Sequence, residues 1–147
     1  ERRISAGDFF VSHLTTVLED DELLVSVDFP APPPGSGTAF QEFARRSGDY
    51  ALGGAAAIIS LDAGGSCASA AVALLGASDV PVRAEEAEAS LLGRRVDAAA
   101  AREVARLAVK DANPISNMHG DGDYRKRVIE AMVERSLLEA VGRAEVR

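Results

Sequence analysis

"YALGGAAAIISLDAGGSCASAAVALLGA" occupies residues 50–77, and its reading decides the fold. Two runs of small and branched apolar residues, 50–62 and 67–77, flank the segment "DAGGS" (62–66). Apolar runs this short, bounded by turn residues, read as strands buried on at least one face, and Asp with two glycines between them signals a hairpin reversal. An antiparallel pair is expected. Because Ala and Gly dominate both runs, a helix laid across them can approach closely.

Working outward toward the N-terminus, "TAFQEFARR" (38–46) alternates less cleanly and adds a further strand. "PAPPPGSG" (30–37) withholds the N–H donors a ladder needs and reads as an extended, solvated connector. Before it, "ELLVSVDF" (22–29) sets Leu23, Val25, Val27 and Phe29 against Glu22, Leu24, Ser26 and Asp28, the period-2 signature of a half-buried strand. Leu24 is the apolar exception on the polar side.

Beyond Val82 the period changes to that of a helix. "VRAEEAEASLLG" (82–93) starts after Pro81 and stops at Gly93, a plausible C′ residue. Asp97 can cap "AAAAREVARLAVK" (98–110), whose Ala101, Val104, Ala105 and Ala108 form an apolar stripe that ends before Asn113-Pro114. A third helix over 123–141 gathers Val128, Ile129, Met132, Val133, Leu137 and Ala140 on one side, with Asp123, Arg127, Glu130 and Glu134 opposite. The expected fold class is α+β: an antiparallel sheet of three to four strands followed by three helices packed on one face.

Composition narrows the function. The 147 residues are 47% apolar, enough for one ordinary domain, and no internal repeat is visible. A net charge of −7 opposes a nucleic-acid footprint, which needs clustered Lys and Arg. The apolar run from Tyr50 to Leu61 falls short of the roughly 20 residues of a membrane helix. A single cysteine allows no internal disulfide and the start does not resemble a signal peptide, so a cytoplasmic setting is expected. The sequence opens on Glu1-Arg2-Arg3 without Met, so a longer parent chain is expected.

Few motifs carry chemistry. His13, His119 and Cys67 are scattered without metal-ligand spacing, so no metal site is expected. Cys67, in an apolar strand with no neighbouring base, reads as an inert buried thiol rather than a nucleophile. The chain has no G-x-S-x-G elbow, and Gly53-Gly54 and Gly64-Gly65 lack the spacing of a phosphate-binding loop. "NPISNMHGDGDYRKR" (113–127) reads as a polar loop with His119 in it and with Asp121 or Asp123 capping the third helix. No catalytic residue is assigned.

The segments "AGDFFVSHLTTVLEDDELLVSVDFP", "AFQEFARRSGDYALGGAAA", "PVRAEEAEASLLGR" and "NPISNMHGDGDYRKRVIEAMVERSL", in that order, resemble the C-terminal part of the FAD-binding medium subunit of molybdenum hydroxylases, the carbon monoxide dehydrogenase and xanthine dehydrogenase type. The resemblance spans nearly the whole chain. It implies that residues 1–21 are the tail end of the FAD-binding region and 22–147 the C-terminal domain of the medium subunit. It also implies that "RRSGDYA" (45–51) is a loop beside the isoalloxazine ring.

On that resemblance the cofactor is FAD and the candidate cofactor-binding residues are Leu24, Phe40, Gln41, Arg45, Arg46, Asp49 and Tyr50. Flavin reduction builds negative charge toward N1 and the C2 carbonyl, which Arg45 or Arg46 can stabilise, with Asp49 orienting an arginine. Phe40 sits where the family often has an aromatic near the ring, and Leu24 matches a leucine packed near the flavin. Gln41 stands where some relatives carry a lysine toward the ring, a departure that puts a charge contact there in doubt. Phe40 and Tyr50 read equally well as core aromatics, and the arginines with Asp49 as a solvated turn. Gly53-Gly54 suits helix-on-sheet packing better than cofactor approach. Arg83 and Arg125 match family positions and are assigned surface or inter-subunit roles.

The partners implied are an N-terminal FAD-binding region, a molybdenum-cofactor large subunit and an iron–sulfur small subunit, with neither nucleic acid nor membrane. The chain would cover the flavin that passes electrons from iron–sulfur clusters to an acceptor, without hydroxylating substrate itself. Lacking phosphate-binding loops, it is expected to hold FAD weakly or not at all when isolated, and to be colourless. A stand-alone scaffold domain of the same fold is the alternative, separable by reading the coding frame upstream of Glu1. An unrelated small enzyme would need convergent catalytic groups that the sequence does not offer.

Overall fold

The computed structural model describes residues 1–110 and 112–145, the Glu145 side chain excepted. The chain divides at Ala31/Pro32 into two units.

The first unit, residues 1–31, holds a single helical turn α1 (Ala6–Phe9) and a small antiparallel pair, β1 (Phe10–Ser12) and β2 (Thr15–Thr16), reversed through Leu14 at φ 56°. Arg2 donates to both carboxylate oxygens of Glu22, at 2.6 and 2.8 Å, and to the Val17 carbonyl at 2.7 Å. The strand expected over 22–29 does not form. Period-2 alternation prepares a segment for a ladder but supplies no neighbour, and the only ladder of this unit is β1–β2. Leu23, Val25 and Phe29 are accordingly exposed, as is Leu24 on the other side, so the distinction between two faces lapses.

In the second unit, β3 (Gly37–Phe43), β4 (Gly53–Leu61), β5 (Cys67–Leu75) and β6 (Val82–Arg83) form one antiparallel sheet in the order β3-β4-β5-β6. The hairpin read from residues 50–77 is the β4–β5 pair, with Ala57 opposite Val72 and Ala55 opposite Leu74. Its turn is closed by Asp62, whose Oδ1 accepts the Gly64 and Ser66 N–H groups at 2.9 Å each, while Gly65 takes φ 77°. Register sorts the side chains. Ala39, Ala55, Ala57, Ile59, Val72 and Leu74 are buried on one face, whereas Phe40 and Ile58 lie exposed on the other.

Three helices cover the buried face: α2 (Glu85–Leu91), α3 (Ala98–Ala108) and α4 (Gly122–Glu145). α4 lies on β3 and β4, α2 on β5, and α3 bridges the two helices. Close approach explains the bare strands. A Cβ on Gly53 would stand 2.6 Å from Ile129 Cγ1 and 3.3 Å from the Ile129 nitrogen of α4, and the Ser136 hydroxyl of the same helix donates to the Ala55 carbonyl at 3.0 Å. The helix starts follow local chemistry. The Asp97 carboxylate accepts the Ala100 N–H at 2.8 Å and the Asp121 carboxylate the Tyr124 N–H at 2.7 Å, so Asp121 rather than Asp123 caps α4. Removing the first cap, Asp97→Ala, is expected to lower stability by about 1 kcal/mol, read as a shift in denaturant midpoint with unchanged slope.

The helix expected over 82–93 is shorter. Val82-Arg83 joins the sheet opposite Leu74 and Ala73, and Gly93 at φ 73° follows the helix end. With β6 so short, Glu88 of α2 reaches over the sheet edge: its Oε1 accepts the Val72 N–H at 2.7 Å, and its two oxygens accept Arg83 Nε and Nη2 at 2.8 and 2.7 Å. A buried carboxylate thereby satisfies a strand donor and its own charge together.

Candidate functional site

β3 and β4 are joined by residues 44–52, and this connector carries most of the candidate residues. It is pinned at its neck, where Leu52 N–H donates to the Phe43 carbonyl at 2.8 Å and the Leu52 side chain is buried. Its tip turns through Gly48 at φ 86°, with Asp49 N–H donating to the Arg46 carbonyl at 3.2 Å. Between neck and tip, Arg45, Arg46, Asp49 and Tyr50 are exposed, Tyr50 almost completely at 99%. A core role for Tyr50 is thereby excluded.

The carboxylate does not do what the sequence suggested. Asp49 forms no ion pair with Arg45 or Arg46, and neither arginine pairs with any described carboxylate. Arg45 instead sets Nη1 2.5 Å from His119 Nδ1 and 3.3 Å from its Nε2, reaching the loop before α4. That loop is braced from below. Asn117 and Gly120 exchange N–H···O bonds of 3.1 Å, and the Asn117 side-chain oxygen accepts the His119 N–H at 2.9 Å and Arg125 Nη2 at 3.0 Å.

Arg125 corrects a second expectation. Assigned to a surface or inter-subunit role from sequence, it is buried at 8% exposure; its Nη1 donates to the Leu52 carbonyl at 3.3 Å, and its buried Nε has no partner among the described residues. One buried guanidinium thus ties the neck of the 44–52 connector to the 113–121 loop. The letters "NPISNMHGDGDYRKR" show a polar cluster but not its tie to Arg45, which lies 74 residues from His119. Arg83, the other assigned surface cation, is held by Glu88.

The remaining candidates lie apart. Phe40 stands on the open face of the sheet, half exposed, opposite Ala56 and three residues before the end of β3. Gln41 points to the covered face, where its amide donates to Glu139 of α4 at 2.5 Å. Leu24 belongs to the first unit, where it lines a concavity of about 750 Å³ with Arg2, Arg3, Ile4, Phe9 and Leu18. Cys67 is buried, burial raises its thiol pKa, and its Sγ lies 3.4 Å from the Ser69 carbonyl. Native Cys67 is therefore expected to escape iodoacetamide over times that label the unfolded chain fully, measured by intact mass.

Residues 38–140 match the family model described as the CO dehydrogenase flavoprotein C-terminal domain. The chain belongs to that family. It is 42% identical over 144 residues to the 6-hydroxypseudooxynicotine dehydrogenase complex subunit alpha of Paenarthrobacter nicotinovorans, covering 98% of this chain and 49% of that protein. With the carbon monoxide dehydrogenase medium chain of Afipia carboxidovorans it shares 33% identity over 144 residues, 98% of this chain and 50% of the relative. Among solved structures, carbon monoxide dehydrogenase from Hydrogenophaga pseudoflava, in a form lacking the Mo-pyranopterin moiety of the molybdenum cofactor, superposes with a TM-score of 0.88 at 33% identity over 94% of this chain and 48% of that one. The chain spans about half the length of these relatives. The matched family residues run from the second residue of β3 into α4 and take in β4, β5, β6, α2 and α3 whole, so membership and the α+β architecture agree.

The site's own chemistry fits a flavin. In a chain of net charge −7, Arg45 and Arg46 are exposed cations without a carboxylate partner among the described residues, and uncancelled positive charge is what suits an electron-rich ring edge. The connector holds no phosphate cradle: its glycine is a single turn residue, Gly48, away from any helix start. No group of three or more His, Cys, Asp or Glu among the described residues is placed to hold a metal ion, and no described helix is long and apolar enough to cross a membrane.

Proposed function

We propose that this chain is the C-terminal part of an FAD-binding medium subunit of a molybdenum hydroxylase, where it covers the flavin that passes electrons from iron–sulfur clusters to an acceptor. The observation that carries the reading is the family match over 38–140 combined with two exposed arginines on the β3–β4 connector that have no carboxylate partner among the described residues. FAD, when bound, supplies two-electron acceptance and delivery. Arg45 and Arg46 would hold positive charge at the ring edge where reduction places negative charge, and Phe40 would offer an aromatic face to a flat heterocycle. Asp49 and Tyr50 would border the ring from the connector tip, and Gln41 would act through its tie to Glu139. Residues 1–21 would end the FAD-binding region, with 22–147 as the C-terminal domain. The diphosphate would be held by an N-terminal FAD-binding region, and electrons would arrive through an iron–sulfur small subunit from a molybdenum-cofactor large subunit, in the cytoplasm.

Two measurements test this. Purification of the protein from its native host should bring down a molybdenum-containing large chain and an iron–sulfur small chain; recovery without either removes the assembly. In the complete flavin-loaded protein, Arg45→Gln with Arg46→Gln should lower the two-electron flavin potential by about 30–60 mV, the equivalent of one charge-assisted hydrogen bond of about 1.5–3 kcal/mol. Because both side chains are exposed, folding stability should move by less than about 0.5 kcal/mol. A large fall in melting temperature with an unmoved potential would assign the arginines to the fold instead.

A further inference from the structure

The contact between Arg45 and His119 is chemically unusual for an arginine, whose common partner is a carboxylate. An acidic partner would orient the guanidinium and cancel its charge in one act. A histidine that accepts a hydrogen bond through a ring nitrogen must be neutral at that nitrogen, so it orients without cancelling. His119 Nδ1 lies 2.5 Å from Arg45 Nη1, and the two described carboxylates of the neighbouring segments, Asp49 and Asp121, take no part: Asp49 has no ion pair and Asp121 is engaged as the cap of α4.

The loop that presents the ring is tied down at several points. Asn117 accepts the His119 N–H and Arg125 Nη2, Gly122 N–H donates to Ser116 Oγ at 2.8 Å, and a Cβ on Gly120 would stand 2.9 Å from the Tyr124 ring. Buried Arg125 also holds the Leu52 carbonyl, so the two segments share one anchor. The backbone on either side of the Arg45–His119 contact is thus set before the two side chains meet, which limits the entropy lost in making it.

We propose that His119 is the positioning residue for Arg45, holding the guanidinium by an uncharged acceptor so that its full positive charge remains available to the flavin. The proposal rests on the flavin-edge reading above, and it separates geometry from charge. His119→Leu removes the acceptor, His119→Gln keeps an uncharged acceptor, and His119→Glu keeps an acceptor but adds the cancelling charge.

The test uses the complete flavin-loaded protein with two readouts: the rate of phenylglyoxal modification at Arg45, followed by peptide mass, and the flavin midpoint potential. His119→Leu should raise the modification rate by about threefold, the population change that an exposed contact sustains, and should move the potential in the direction that Arg45→Gln moves it. His119→Gln should restore both toward wild type. His119→Glu should keep Arg45 protected and still lower the potential, a combination that a purely structural role does not produce. If Arg45→Gln moves the potential while His119→Leu leaves both readouts unchanged, the positioning role is overturned and the flavin-edge reading stands. If Arg45→Gln itself leaves the potential unmoved, the flavin-edge reading falls, and the proposal's charge step with it.

Discussion

Gly37→Ala is expected to destabilise the second unit by about 3 kcal/mol or more, a large share of the roughly 5–15 kcal/mol that holds an ordinary domain folded. A Cβ at this position would run into the Ala140 carbonyl oxygen, and would stand 2.5 Å from the Ala144 nitrogen and 2.9 Å from the Ala140 carbonyl carbon. All three are backbone atoms of α4, so no rotamer change relieves the clash; the helix must move off β3 or the strand must leave the sheet. Either response opens the contact that α4 makes with β3 and β4. Urea titration followed by circular dichroism measures the loss. Gly142→Ala is the matched control: on the same helix, with nothing within 4 Å of its Cβ, it should stabilise by about 0.5–1 kcal/mol through helix propensity. Equal effects of the two substitutions would refute close approach as the reason for glycine at 37.

Leu137→Ala should lose about 4 kcal/mol. The side chain is fully buried in the cluster that includes Ala39, Ala55 and Ala57 from the sheet and Ala101 and Ala105 from α3. Truncation removes transfer energy everywhere, but the added cavity cost depends on how far neighbours can collapse into the space. Many members of that cluster are alanines, which have no flexible ends to fill a void, so the loss includes a cavity cost beyond the transfer energy. Leu138→Ala, at a position 36% exposed, should cost less than about 1 kcal/mol. The pair is measured by the same titration, and a difference under about 1 kcal/mol would mean that the sheet deforms to fill the gap.

What was legible in the residues followed locality. The β4–β5 hairpin was readable because each strand is a short apolar run and the reversal has its own chemistry in Asp62, Gly64 and Gly65. α3 was readable from its Asp97 cap and apolar stripe, and α4 from its one-sided apolar spacing, although it begins at Gly122 and runs to Glu145 rather than ending near 141. The segment 22–29 was not, for a strand exists only where another chain segment accepts its hydrogen bonds. The candidate site divides similarly: charge on the 44–52 connector could be seen in the letters, while its partner could not.

The order of residues alone determined the β4–β5 hairpin and its turn, the Asp97 cap, the helical type of α3 and α4 and the small-residue surface on which helices can rest, because each depends on neighbours a few positions away. Tertiary structure decided that Arg125 lies inside, that Arg45 meets His119 rather than Asp49, and that Gln41 is tied to Glu139. Those outcomes depend on which backbones are brought together across tens of residues. A side chain's partner is set by distance in space, which one-dimensional spacing does not encode.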